Sequence, residues 1–139
     1  MQLKIKNNLY DIYFGIDALD YLNNAYLFTD DESGDLNLNP MVGEGTRFLV
    51  VSLGQNNPVG LAHFIKAGTR TLKSKPSNRA IDEYIAELVI EDKLEEACKE
   101  ALDFLSQAPL TRQKTIAIIQ TIEKQTVKKP TKKTDTTKS

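Results

Sequence analysis

The sequence predicts a mainly α (α+β) fold, with an N-terminal β-hairpin packed on a bundle of about five helices and a disordered basic C-terminal tail. Three observations predict it. Leu3 and Ile5 alternate with polar neighbours near the N-terminus, the strand period of two. After the hairpin and up to about residue 125, most apolar residues recur three and four positions apart, the helical period. After Val127 no large apolar residue remains. These breaks define one globular domain at 1–126, with a hairpin at 2–14 and helices to about 125, and a Lys/Thr-rich tail at 127–139. A chain of 139 residues is long enough for one ordinary hydrophobic core.

The elements follow in order. Leu3 and Ile5 alternate with Gln2, Lys4 and Lys6. Asn7-Asn8 is expected to form the turn, because asparagine tolerates the positive φ that a two-residue hairpin loop demands. The returning run puts Tyr10, Ile12 and Phe14 on one face and Leu9, Asp11 and Tyr13 on the other. A lone hairpin is marginal in water, so one face must pack on the body. Gly15 releases the backbone into a first helix, with Ile16, Leu19, Tyr21 and Leu22 as its apolar positions. Residues 29–45 read as a long acidic loop that nonetheless carries Leu36, Leu38, Met41 and Val42. Those four are the candidate partner-binding residues; packing against the body is an equal alternative for them. The run from Phe48 to Val51 fits helix or strand, with helix favoured and Gly54 as its stop.

Asn57 is placed to cap a helix whose first position is Pro58. Leu61, Phe64, Ile65, Gly68 and Leu72 form its buried stripe, with Gly68 admitting a neighbouring helix closely. Ser77 caps the next helix, which carries Ile81, Tyr84, Ile85 and Leu88 on one face. Leu94, Ala97, Cys98, Ala101, Leu102 and Leu105 make a further stripe, ended at or before Ala108 by Pro109. In the last segment Ile116, Ile119 and Ile122 keep helical register, although the β-branched density at 115–122 leaves strand open. Pro130, the lysines and the threonines that follow cannot bury enough surface to offset ordering entropy.

The net charge of −1 conceals a division. The tail 127–139 holds five lysines and one aspartate, so it is +4 and the preceding 126 residues are −5, 13 basic against 18 acidic. An acidic body disfavours nucleic-acid binding, which needs clustered cations to neutralise phosphates. A single cysteine excludes an internal disulfide. Without a signal peptide or an apolar run of transmembrane length, a soluble, cytoplasmic protein is expected.

No constellation of catalytic residues emerges, and no cofactor or metal is expected. His63 is the only histidine and lies beside a core stripe, which favours a structural role. One His and one Cys are too few for a zinc site unless carboxylates complete it. Cys98 sits on an apolar helix face, where it acts as a small hydrophobe. "VGEGT" at 42–46 lacks the Lys-Ser/Thr of a phosphate loop, so its glycines read as flexible punctuation before a helix. "DDESGD" at 30–35 lacks the closing glutamate of a calcium loop, since twelve residues on stand Met41 or Val42. Asp82, Glu83, Glu87, Glu91, Asp92, Glu95, Glu96 and Glu100 flank apolar stripes and read as a solvated face.

The order of the segments carries one resemblance. The hairpin ends in Tyr13, Phe14, Gly15 and Ile16; a helix opens on Asn57, Pro58 and Val59; Lys75, Pro76 and Ser77 precede a helix reading Ile81 to Ile85. Over residues 1 to 105 this resembles the tail assembly chaperone family of long-tailed (siphovirus) phages and prophages of Gram-positive bacteria. The loop at 29–45 is longer and more acidic than that pattern. The resemblance implies a protein that binds the tape measure protein and keeps it soluble while tail tube protein polymerises around it. Such a protein is absent from the mature virion. The resemblance also implies self-association and, in such families, a longer frameshifted product; the Lys pairs at 128–129 and 132–133 suit a slippery A-rich stretch. The alternative is a small non-enzymatic regulatory or adaptor protein for another phage or host factor.

Overall fold

A computed structural model describes residues 1–26 and 44–124. Within them the chain runs β1 (Gln2–Ile5), β2 (Asn8–Asp11), α1 (Ile16–Ala25), α2 (Gly45–Gly54), α3 (Pro58–Gly68), α4 (Asn78–Ile90) and α5 (Leu94–Gln107). A sixth helix, α6, occupies 112–124. The fold is the expected hairpin on a helical body. The tail after Val127 and most of the acidic loop, with Leu36, Leu38, Met41 and Val42, lie outside the described residues.

The hairpin is antiparallel, with Leu3 opposite Tyr10 and Ile5 opposite Asn8. Its turn is therefore Lys6-Asn7 rather than Asn7-Asn8, and both residues adopt positive φ, 50° and 67°. Burial explains the difference. Ile5 is 1% exposed, and a one-residue slip would turn it to solvent, so the core sets the register and Lys6 takes a conformation that lysine does not favour. The ladder stops at Asp11, but the alternation continues: Ile12 and Phe14 are buried while Leu9 and Tyr13 remain exposed. Met1 O accepts from Ile12 N at 2.8 Å, and Gly68 O accepts from Tyr13 N at 2.9 Å. The second bond ties the hairpin to the end of α3. A Cβ on Gly68 would stand 2.6 Å from Ile12 Cγ2, so this glycine admits the hairpin strand and not, as expected, another helix.

Side-chain caps set the starts of α3 and α4. Asn57 Oδ1 accepts from Val59 N at 2.9 Å ahead of Pro58, and Ser77 Oγ accepts from Ala80 N at 3.0 Å. α5 ends at Gln107 with Ala108 in an extended conformation before Pro109. The ambiguous apolar run is helix α2, which buries Leu49, Val50 and Leu53 and ends at Gly54. A helical face satisfies that spacing, and it overrides the strand preference of Val50 and Val51.

Two stripes differ from expectation. Ile16 is 63% exposed because it is the first residue of α1, ahead of the inward face formed by Ala18 and Leu22. The segment at 115–122 is helical, but its buried line is Thr111, Thr115 and Ile118, with Ile119 and Ile122 half-buried and Ile116 turned outward. Thr111 Oγ1 donates to Leu105 O at 2.7 Å, which satisfies that buried hydroxyl.

α3 is the central element and packs against α1, α2, α4 and α5. At the middle of the core Phe14, Phe64 and Phe104 meet with ring centroids 5.3 to 5.9 Å apart. That triad joins the strand after β2, α3 and α5 in one aromatic contact.

Candidate partner-binding surface

The side chains with chemical potential are held in structural roles. His63 is half-buried on α3, and its Nδ1 shares a 2.8 Å hydrogen bond with Tyr26 Oη. In the neutral tautomer that carries its proton on Nε2, Nδ1 accepts from the phenol. Burial, helped by the charge of Lys66, lowers the His63 pKa below its ordinary value and so keeps it neutral. Tyr26 stacks on Phe48 at 5.6 Å and meets the His63 ring edge-on, while Arg70 lies 5.1 Å over the ring of Tyr21. Desolvation raises the pKa of both tyrosines. The cluster links the end of α1 to α2 and α3.

Cys98 is fully buried on α5, and desolvation pushes its thiol pKa up, the reverse of what a nucleophile requires. The α4 and α5 carboxylates are exposed apart from half-buried Glu83, which bonds Lys6 of the hairpin turn and Arg79. Those two cations hold its carboxyl below the usual range. Among the described residues no group of three or more His, Cys, Asp or Glu could hold a metal ion. Gly45 of the "VGEGT" stretch is a contact point rather than flexible punctuation. A Cβ there would lie 2.4 Å from the Leu22 carbonyl carbon, so α1 and α2 cross with backbones almost touching.

What the described surface does offer is an apolar groove between α3 and α4. Pro58, Val59 and Ala62 form one wall; Asp82, Ile85, Ala86, Val89 and Ile90 form the other. Its volume is about 450 Å³. Ile90 is 80% exposed, Val59 58% and Val89 52%, although all three are large and apolar. Soluble surfaces normally scatter such residues singly, and several together mark a contact surface. Ala62 and Ala86 leave the groove hollow, because any longer side chain at either place would fill it. Sequence reasoning passed over this site. Val89 and Ile90 fall off the Ile81, Ile85, Leu88 stripe, and a large apolar pair beyond the buried face of an amphipathic helix was the available signal.

The groove belongs to a domain with buried or solvated ionisable groups, a helical body and a hairpin-first topology. A family model described as "Phage tail assembly chaperone protein, TAC" matches residues 2–129. The chain belongs to this phage tail assembly chaperone family. No curated protein and no solved structure matches the chain. The match extends the resemblance carried by the motifs of residues 1 to 105 through α5 and α6. Binding to other tail proteins is what membership of this family implies. Among the described residues no helix is long and apolar enough to cross a membrane.

Proposed function

We propose that this chaperone binds the tape measure protein and holds it soluble during tail assembly, in the host cytoplasm, and that it is released before the virion is complete. The membership over residues 2–129 carries the reading. The physical character of the chain supports it. A chaperone for a long helical client needs accessible apolar surface and a net charge that keeps the complex dispersed, and it needs no catalytic group. The α3–α4 groove meets the first need and the −5 body the second. Several copies along one client, with self-association between them, would cover a long helix; a frameshifted longer form and contact with tail tube protein belong to the same proposal.

Co-expression with the tape measure protein encoded in the same genome tests it, followed by affinity capture and sizing of the complex. A soluble complex containing many copies of this chain is the expected result. If the large chain precipitates equally with and without its companion, the proposal is wrong and an adaptor role takes its place.

A further inference from the structure

The α3–α4 groove is built for one kind of occupant. The groove is lined by the start of α3 and the end of α4, where the backbone is bonded as well: Val59 N donates to Asn57 Oδ1, and the carbonyls of Glu87, Leu88 and Val89 accept from Glu91 N, Lys93 N and Asp92 N. An extended peptide laid there would lose its own backbone bonds to water and find no replacements. A helix brings its backbone already satisfied and needs only an apolar stripe. The α4 wall runs two turns, from Asp82 to Ile90, and faces Val59 and Ala62 one turn apart on α3. A single ridge of side chains at helical i, i+3, i+4, i+7 spacing matches that length. The hollow at Ala62 and Ala86 admits one leucine-sized side chain.

Charge narrows the occupant further. Among the described residues Asp82 is the only charged one that lines the groove, and it is exposed. The ion pairs among the described residues engage Glu44, Glu83 and Glu91 but not Asp82. Exposed Asp92 stands just past the other end of the wall. A lysine or arginine beside the apolar stripe of the occupant would therefore meet a carboxylate that none of the described residues pairs. We propose that the α3–α4 groove docks a basic-flanked amphipathic helix of the client, with its apolar ridge between Ala62 and Ala86 and a cation on Asp82. This inference rests on the chaperone reading for the identity of the client, but not for the chemistry of the groove.

Two probes separate those dependencies. The first is an 18-residue synthetic peptide with leucine at helical spacing and lysine on both flanks, compared with the same peptide carrying glutamate in place of lysine. The second is the co-expressed tape measure protein. Ala86→Trp fills the hollow and adds apolar surface, so non-specific adhesion would increase while specific docking is lost. The residue is exposed, and circular dichroism checks that the variant folds. Asp82→Lys leaves the apolar walls intact.

The wild-type protein should bind the lysine peptide, with Ala86→Trp weakening it at least tenfold. Asp82→Lys should weaken it about fivefold at low salt, an effect that fades as salt screens the pair. Ala86→Trp should also abolish capture of the tape measure protein. If Ala86→Trp binds both probes as wild type does, or the glutamate peptide binds as well as the lysine one, the proposal is overturned. If Ala86→Trp abolishes peptide binding but the client is never captured, the groove assignment stands and the chaperone reading fails. If Ala86→Trp instead changes the sedimentation of the protein alone, the occupant is a second copy, and the proposal is overturned.

Discussion

Gly45 and Gly54 open and close the same ten-residue helix, α2, yet alanine at the two positions should act in opposite directions. At Gly45 an added Cβ would lie 2.4 Å from the carbonyl carbon of Leu22, 2.6 Å from Asn23 N and 2.6 Å from Leu22 O. These are backbone atoms of α1, so no rotamer change relieves the clash. The helices must separate by roughly 1 Å to restore contact distance. That shift also strains the 2.9 Å bond from Gly45 N to Asn23 Oδ1, a net contribution of about 1 kcal/mol. Overpacking of this kind typically costs about 1–3 kcal/mol, and the helical preference of alanine over glycine returns at most about 1 kcal/mol. Gly45→Ala should therefore destabilise the fold by about 2–3 kcal/mol and lower Tm by about 8–12 °C at this domain size. Gly54 has nothing within 4 Å of its would-be Cβ and has no left-handed φ. Gly54→Ala should stabilise by about 0.5 kcal/mol and raise Tm by about 2 °C. Thermal unfolding followed by circular dichroism, with urea titration alongside, reads both. Equal Tm shifts for the two variants, or a Gly45→Ala protein within 2 °C of wild type, would refute the close crossing of α1 and α2.

Three further outcomes follow from the same structure. Ser77→Ala removes the acceptor for Ala80 N and should destabilise α4 by about 1 kcal/mol in urea unfolding, with Ser77→Asp recovering most of it. Burial depresses the His63 pKa in the folded state, so the contribution of the neutral imidazole is present above the unfolded value of 6.5 and is lost as pH falls through the folded pKa. Denaturant midpoints for the wild type should therefore drop between neutral pH and pH 5 more than those of His63→Gln, and parallel profiles would contradict this. Cys98 has no exposed surface and a raised pKa, so a thiol reagent at pH 8 should leave the native protein unmodified and titrate one thiol per chain in guanidinium. Rapid modification of the folded protein would place Cys98 outside the core.

Much of the fold was legible in the residues because local rules and burial agreed. Asn57-Pro58 and Ser77 are caps by chemistry alone, and the α3, α4 and α5 stripes place Leu61, Phe64, Ile65, Gly68, Ile81, Ile85, Cys98, Ala101 and Leu105 inside, with the rest half-buried and Leu72 beyond the end of α3. Legibility failed where two local solutions were nearly equal. Asn7-Asn8 and Lys6-Asn7 both make plausible turns, and only the need to bury Ile5 chooses between them. At 115–122 the isoleucines in register, Ile116, Ile119 and Ile122, are not the buried line: Ile116 is exposed and Ile118 is buried. The structure buries Thr111 and Thr115 instead, and the carbonyl of Leu105 accepts from Thr111. The candidate site was less legible still. The apolar residues singled out by sequence, Leu36, Leu38, Met41 and Val42, belong to the long acidic loop, and their role as a contact surface stands as a proposal. The groove is formed by residues 58–62 and 82–90, whose separation in the chain conceals their meeting.

By itself the sequence determined the class of this protein: a hairpin-first helical domain with an acidic body, buried or solvated ionisable groups, and the motif order of a tail assembly chaperone. Periodicity, capping chemistry and charge are properties of short stretches, and short stretches carry them whole. Only the tertiary structure decided which glycine is a contact, which turn closes the hairpin, and which apolar residues remain uncovered. Those depend on distances between segments far apart in the chain. Ala62 and Ala86 are ordinary small residues in the sequence, and they become the hollow of a groove only once α3 and α4 lie side by side.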